Sequence, residues 1–199
     1  METKPRKDHL VEKLFDTQIA TCKNRGVPAK TIKILQSQQD SVLWTANKTA
    51  FKEGNIFFLP VIPWAFCGLY DLVAMVRIGE KAGYTRLNPA SICDKVKTPA
   101  EPYYIFDIES GAATRNTSPE EAEKALAQQN RSGVTAVEAI ALAIHVDTLS
   151  RHNIWAAGSR YDKSFRAPFI WLDGDDRPAL SWGYENAANN RWGIPSCIR

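Results

Sequence analysis

The sequence predicts an α+β protein, with a small mixed or antiparallel sheet covered by helices and a helical N-terminal segment. Three observations carry that expectation. Leu10, Leu14, Phe15 and Ile19 recur at helical spacing near the N-terminus. Two stretches open with capping boxes, at Ser118 with Glu121 and at Thr135 with Glu138. Two runs, "YYIFDI" at 103–108 and "FRAPFIWLDGDDRPALSWGY" at 165–184, are aromatic and β-branched and are bounded by turn residues. At 199 residues and 44% hydrophobic, with a formal charge of only +3, the chain suits one packed domain rather than disorder. Residues 1–50 read as a helical arm or edge layer, and 56–199 as the main α+β core.

In chain order, 8–23 reads as an amphipathic helix that Gly26 and Pro28 punctuate. A second short helix runs through Ile32, Ile34 and Leu35. Residues 40–55 read as a polar passage with isolated large residues, ending in a Gly54-Asn55 turn. "IFFLPVI" reads as a strand. Because proline offers no N–H to a ladder, Pro60 places it at an edge, at a bulge or at its stop. Leu69, Leu72, Val73 and Val76 then share a helical face over 68–78. Residues 84–102, with Pro89, Pro99 and Pro102, read as a mostly irregular connection with a turn of helix near 90–95. The strand at 103–108 hands over through "SGAATRN" to a helix at 118–128, with Pro119 at its first position. A second helix covers 135–150. A looped hairpin follows, with strands near 168–172 and 179–183 joined through Asp173-Gly174 and with Trp171 and Trp182 placed to pair across it.

Several function classes are disfavoured. No GxGxxG or GxxxxGK[ST] loop occurs. The only histidines are His9, His145 and His152. The last two lie two helical turns apart, roughly 10 Å, too far to share a zinc. "DGDD" at 173–176 lacks an EF-hand's spacing. No metal and no cofactor are therefore expected. Cys22, Cys67, Cys93 and Cys197 are scattered, which fits free thiols in a reducing cytosol. The apolar segment 56–76 is interrupted by Pro60, Pro63 and Asp71, so it reads as core rather than membrane span. The N-terminus has no apolar run that could act as a signal peptide. The densest basic cluster, Lys4, Arg6 and Lys7, is too small to argue for nucleic acid.

Candidate chemistry gathers at the crossing after strand 103–108. If that strand continued, Asp107 and Glu109 would face the same way, as an acid and a base could. Equally, Asp107 could pair with Arg115, and with Asn116 and the Ser118 cap could simply tie strand to helix. Cys67, before Gly68 at a strand-to-helix passage, is a candidate nucleophile if helix amides favour its thiolate, and otherwise a core thiol. Arg160 and Tyr161, from "AGSRY", are the candidates to join Arg115 in holding an anionic substrate. Trp192 either lines the same groove or docks on the core.

Taken together, "FDIESG", "TRNTSPEE", "AGSRY" and the late Trp192-Gly193 resemble the ordered motifs of an uncharacterised bacterial family, a domain of unknown function, over about 60–199. The resemblance implies a bacterial, cytoplasmic protein and brings no activity. The missing nucleotide loop, metal set and triad favour a non-catalytic structural or protein-interaction role, with self-association through the N-terminal helices. The alternatives are a small-molecule hydrolase with an Asp/Glu and Arg-lined site, and a nucleic-acid-binding protein.

Overall fold

The computed structural model describes residues 7–199. Of the N-terminal basic cluster, Lys4 and Arg6 lie outside the described residues. Helices α1 (Lys7–Asn24), α2 (Ala29–Ser37) and α3 (Gln39–Lys48) come first. α1 buries Val11, Phe15, Ile19 and Cys22, steps of three and four that form one apolar stripe. α3 replaces the expected polar passage. It buries only Val42 and Ala46, too little apolar periodicity to announce a helix, while Trp44 remains 65% exposed.

β1 (Ile56–Val61) is an edge strand, which accommodates Pro60. The expected helix 68–78 divides into α4 (Trp64–Cys67) and α5 (Leu69–Met75), and the chain then turns back through β2 (Arg77–Ile78) and β3 (Lys81–Ala82). Gly79 (φ +56) thus occupies a hairpin turn. The connection 84–102 contains β4 (Tyr84–Thr85), a 3₁₀ turn at Pro89–Ser91 and β5 (Ile92–Asp94). β6 (Tyr103–Glu109), α6 (Pro119–Gln128), β7 (Ser132–Gly133) and α7 (Ala136–His145) follow. Both capping boxes form, at Ser118 and Thr135. Because α7 stops at His145, His145 and His152 do not share a helix. The remaining strands are β8 (Asn153–Trp155), β9 (Ser159–Tyr161), β10 (Arg166–Leu172), β11 (Pro178–Tyr184), β12 (Trp192–Gly193) and β13 (Ser196–Ile198).

The fold class is the expected one, but its long strands divide between two main sheets. One is antiparallel, in the order β1-β6-β13-β7. The other is mixed, in the order β12-β8-β10-β11-β4. β13 takes the free side of β6, so the hairpin pairs with β8 and β4 instead. In that hairpin Trp171 faces Ala179 and Trp182 faces Pro168, so the two tryptophans are not partners. Trp182 instead stacks on Tyr161, 6.1 Å away and 8° from parallel.

Adjacent strand residues point to opposite faces. Tyr104 stacks on Phe15 of α1, with centroids 5.8 Å apart, whereas the Tyr103 hydroxyl donates to Glu138 of α7 at 2.9 Å. The antiparallel sheet therefore lies between the N-terminal helices and α7. Val11, Leu35, Phe58, Leu72, Ile108, Ile140, Ile154 and Ile170 belong to one continuous core spanning both sheets.

Candidate functional site

β6 breaks its own alternation. On one side it pairs regularly with β1, from Val61 opposite Tyr103 to Ile56 opposite Ile108. On the other, Ser196 faces Glu109 and Ile198 faces Phe106, so β6 carries one extra residue. That is a β-bulge. Asp107 sits in it at φ +50, a left-handed conformation that Asp tolerates better than most residues. The regular alternation read from the sequence therefore fails at Asp107.

Asp107 also has a different partner from the one expected. Arg131, just beyond α6, donates from Nη1 to Asp107 Oδ2 and from Nη2 to the Asp107 carbonyl. The same guanidinium reaches the Ser196 carbonyl at 3.0 Å and the Ser196 hydroxyl at 2.9 Å. Asp107 Oδ1 accepts from Asn55 Nδ2 at 2.8 Å and from the Lys52 N–H at 3.3 Å. Burial pulls this carboxyl upward. The Asn55 and Arg131 hydrogen bonds, the Arg131 charge and the Lys52 amide outweigh it and hold the group below the usual aspartate range. The ion pair is buried, with side-chain exposures of 10% and 9%.

Three of the groups that hold Asp107, namely Lys52, Asn55 and Arg131, also line a cavity of about 270 Å³, together with Glu109, Gln129 and Ser196. Ala113, Thr114 and Thr117 of the crossing and Ala122, Ala125 and Leu126 of α6 line the rest. Glu109 is half-buried. Its carboxylate accepts the Gly111 and Ala113 N–H groups at 2.9 and 3.1 Å. Gly111 (φ +99) packs against the backbone of Gly193, an approach with no room for a Cβ on either residue. The FDxExG stretch and the late Trp-Gly pair thus meet in space.

The remaining sequence candidates are dispersed. Arg115 is exposed and has no partner among the described residues. Arg160 pairs with Glu185 and lies 3.5 Å from Glu123, which sits on a different face of α6 from the cavity. Tyr161 is held against Trp182. Trp192 packs at 5.1 Å on Trp155 and 4.6 Å on Phe169. Cys67 ends α4 rather than opening a helix, and burial together with the Asp71 charge pushes its thiol up, opposite to the activation expected of helix amides.

Arg131 carried no sequence signal, because the fold brings it to a carboxylate 24 residues away. A second buried charge set was equally hidden. Glu138, fully buried, accepts from Arg199 at 3.0 and 2.8 Å, from the Tyr103 hydroxyl and from the Thr135 N–H at 2.7 Å. Nearby, the Ser159 hydroxyl donates to Asp94 at 2.5 Å and accepts from the Ala136 N–H at 2.8 Å.

Among the described residues, no group of three or more His, Cys, Asp or Glu is placed to hold a metal, and no helix is long and apolar enough to cross a membrane. None of the four cysteines is paired. A family model described as a family of unknown function (DUF5701) matches residues 17–199. The match begins inside α1, so α2 and α3 fall within it, well before the region the motifs had suggested. No curated protein and no solved structure matches the chain.

Proposed function

The chain belongs to the DUF5701 family, and on that premise we propose that it is a small-molecule hydrolase acting in the cavity beside Asp107. The observation that carries this reading is a buried Asp107–Arg131 pair, held in a left-handed bulge, whose supporting groups wall a cavity with a second carboxylate. Burying an ion pair and holding a non-glycine residue at positive φ are both costly, and such features cluster at functional sites. A cavity of about 270 Å³ suits a small substrate.

In this reading Glu109 is the general base. It takes a proton from a water molecule, which attacks the electrophilic centre. The bond from that centre to the leaving group then breaks, Glu109 returns the proton to the leaving group, and the Arg131 charge favours the negative charge that develops in between. Asp107 does not itself abstract the proton, because the Arg131 guanidinium neutralises its carboxylate, whereas Glu109 accepts only backbone N–H groups and has no ion-pair partner among the described residues. It is a positioning residue that fixes Arg131. Cys67, remote and with its thiol pushed up, takes no part. Four unpaired cysteines support a reducing, cytoplasmic setting.

A hydrolase panel on wild type, Glu109→Gln and Cys67→Ser tests the proposal. Glu109→Gln should lower kcat by about a hundredfold or more, with a circular dichroism spectrum that shows the variant folded, while Cys67→Ser should retain activity. A panel silent for wild type, or activity surviving Glu109→Gln, would sink it. One observation favours the second reading, a structural or interaction protein. The polar groups of the motif residues are largely engaged within their own joints, Glu109 by Gly111 and Ala113 and Ser118 by Glu121. Self-association through the N-terminal helices would then have to use Leu10 and Trp44, because the α1 stripe is already covered.

A further inference from the structure

We propose that a second site, away from Glu109, binds a small organic acid with an apolar body. Two adjoining cavities, of about 590 and 680 Å³, share Arg25 and Arg77 in their walls. Arg25 follows the C-terminal end of α1 and Arg77 opens β2. Neither guanidinium has a hydrogen-bond or ion-pair partner among the described residues, in contrast to Arg131, Arg160 and Arg199, which are all engaged. A guanidinium presents a planar fork of donors suited to a carboxylate or phosphate, and two of them line both cavities.

The larger cavity adds what an anionic head needs behind it. Ile78, Ile144, Leu149 and Leu172 supply an apolar wall beside the charged groups. Lys81, whose ammonium donates to the Asp175 carbonyl, adds a third cation, while Asp147 and Asp176 are the acidic members of that wall, leaving a net positive charge. Asp71 lines the smaller cavity. These walls come from α1, the β2–β3 hairpin, the end of α7 and the β10–β11 loop. Opposite charge on a ligand would be drawn to the shared Arg25–Arg77 edge, with its hydrocarbon against Ile144 and Leu149.

Calorimetric titration of the full chain at neutral pH with octanoate, 1-octanol, octylammonium and inorganic phosphate tests this. Octanoate should bind, and octanol, octylammonium and phosphate should each bind about tenfold or more weakly, since each lacks either the charge-assisted bonds or the apolar body. Arg25→Gln/Arg77→Gln should weaken octanoate about tenfold or more and leave octanol unchanged, and Glu109→Gln should leave the titration as in wild type. Octanol or octylammonium matching octanoate, phosphate matching octanoate, or no octanoate binding at millimolar concentration would overturn the proposal. The wild-type ligand series decides this even if the double variant does not fold. The Glu109→Gln control separates it from the fate of the hydrolase reading.

Discussion

Asp107 combines two costs that a substitution can separate. Asparagine also tolerates φ +50 and can still accept from Asn55 and Lys52, but it leaves the Arg131 charge buried without a counter-ion. Asp107→Asn should therefore lower the unfolding free energy by about 3 kcal/mol. Asp107→Asn/Arg131→Met should regain part of that, because no lone charge remains, and denaturant midpoints of the single and double variants measure the coupling. Equal stability of wild type and Asp107→Asn would mean that the pair is solvated and contributes little. His145 gives a pH signature of its own. Burial, with Arg25 nearby, holds its imidazole down to about 4, and its Nδ1 is buried without a partner. The unfolded chain binds a proton near pH 6.5 that the fold refuses until about pH 4. The His145 contribution is thus complete above pH 6.5 and is lost as pH falls through that window. His145→Gln should flatten the wild-type stability slope between pH 6.5 and 4. Asp107, whose folded pKa is lowered, loses its contribution in a separate window below 3.8.

At the scale of elements, α6 and α7 start with the same local chemistry and end with different weight. Ser118 and Thr135 each accept the N–H of the residue three positions on, and Glu121 and Glu138 return the bond. Glu121 is exposed and serves its cap alone. Glu138 also anchors Arg199 and Tyr103 in the interior. Glu121→Gln should change stability by no more than about 0.5 kcal/mol, whereas Glu138→Gln should cost about 3 kcal/mol by leaving Arg199 without its counter-charge. Thermal melts of the two variants compare them directly, and similar shifts would contradict the difference in burial. Both helix starts were legible because a capping box acts within four residues. The strands β7, β8, β9, β12 and β13 were not legible. Two or three residues hold no period, and only pairing with a distant strand makes Ser196–Ile198 extended.

For the whole molecule, the N-terminal helices matter as a cover. Phe15 stacks on Tyr104, Gln18 donates to the Phe58 carbonyl at 2.8 Å, and the Tyr104 hydroxyl donates to the Leu35 carbonyl at 3.4 Å. Removing residues 1–50 would strip one face of the antiparallel sheet and expose Phe58 and Tyr104. Such a chain should aggregate or lose its cooperative unfolding transition, which light scattering and a denaturant curve would register. A truncated chain that stayed monodisperse with an unchanged midpoint would establish those helices as a dispensable arm.

What the sequence determined by itself was local. It specified the α+β class, the α1 stripe, the two capped helices, and the strands at 103–108 and in the hairpin, because each depends on spacing within a few residues. For Pro60 it left an edge, a bulge or a strand stop, and the structure chose the edge. Tertiary structure alone decided that Arg131 rather than Arg115 meets Asp107, that β6 bulges there, and that the long strands occupy two sheets. It also placed Cys67, Arg160 and Tyr161 outside the cavity beside Glu109 and packed the Trp192 ring on Trp155 and Phe169. Pairings across 24 residues or more depend on which strand edge is filled first by which partner. That competition is settled by burial and hydrogen bonding in the assembled core, and no short window of sequence contains it.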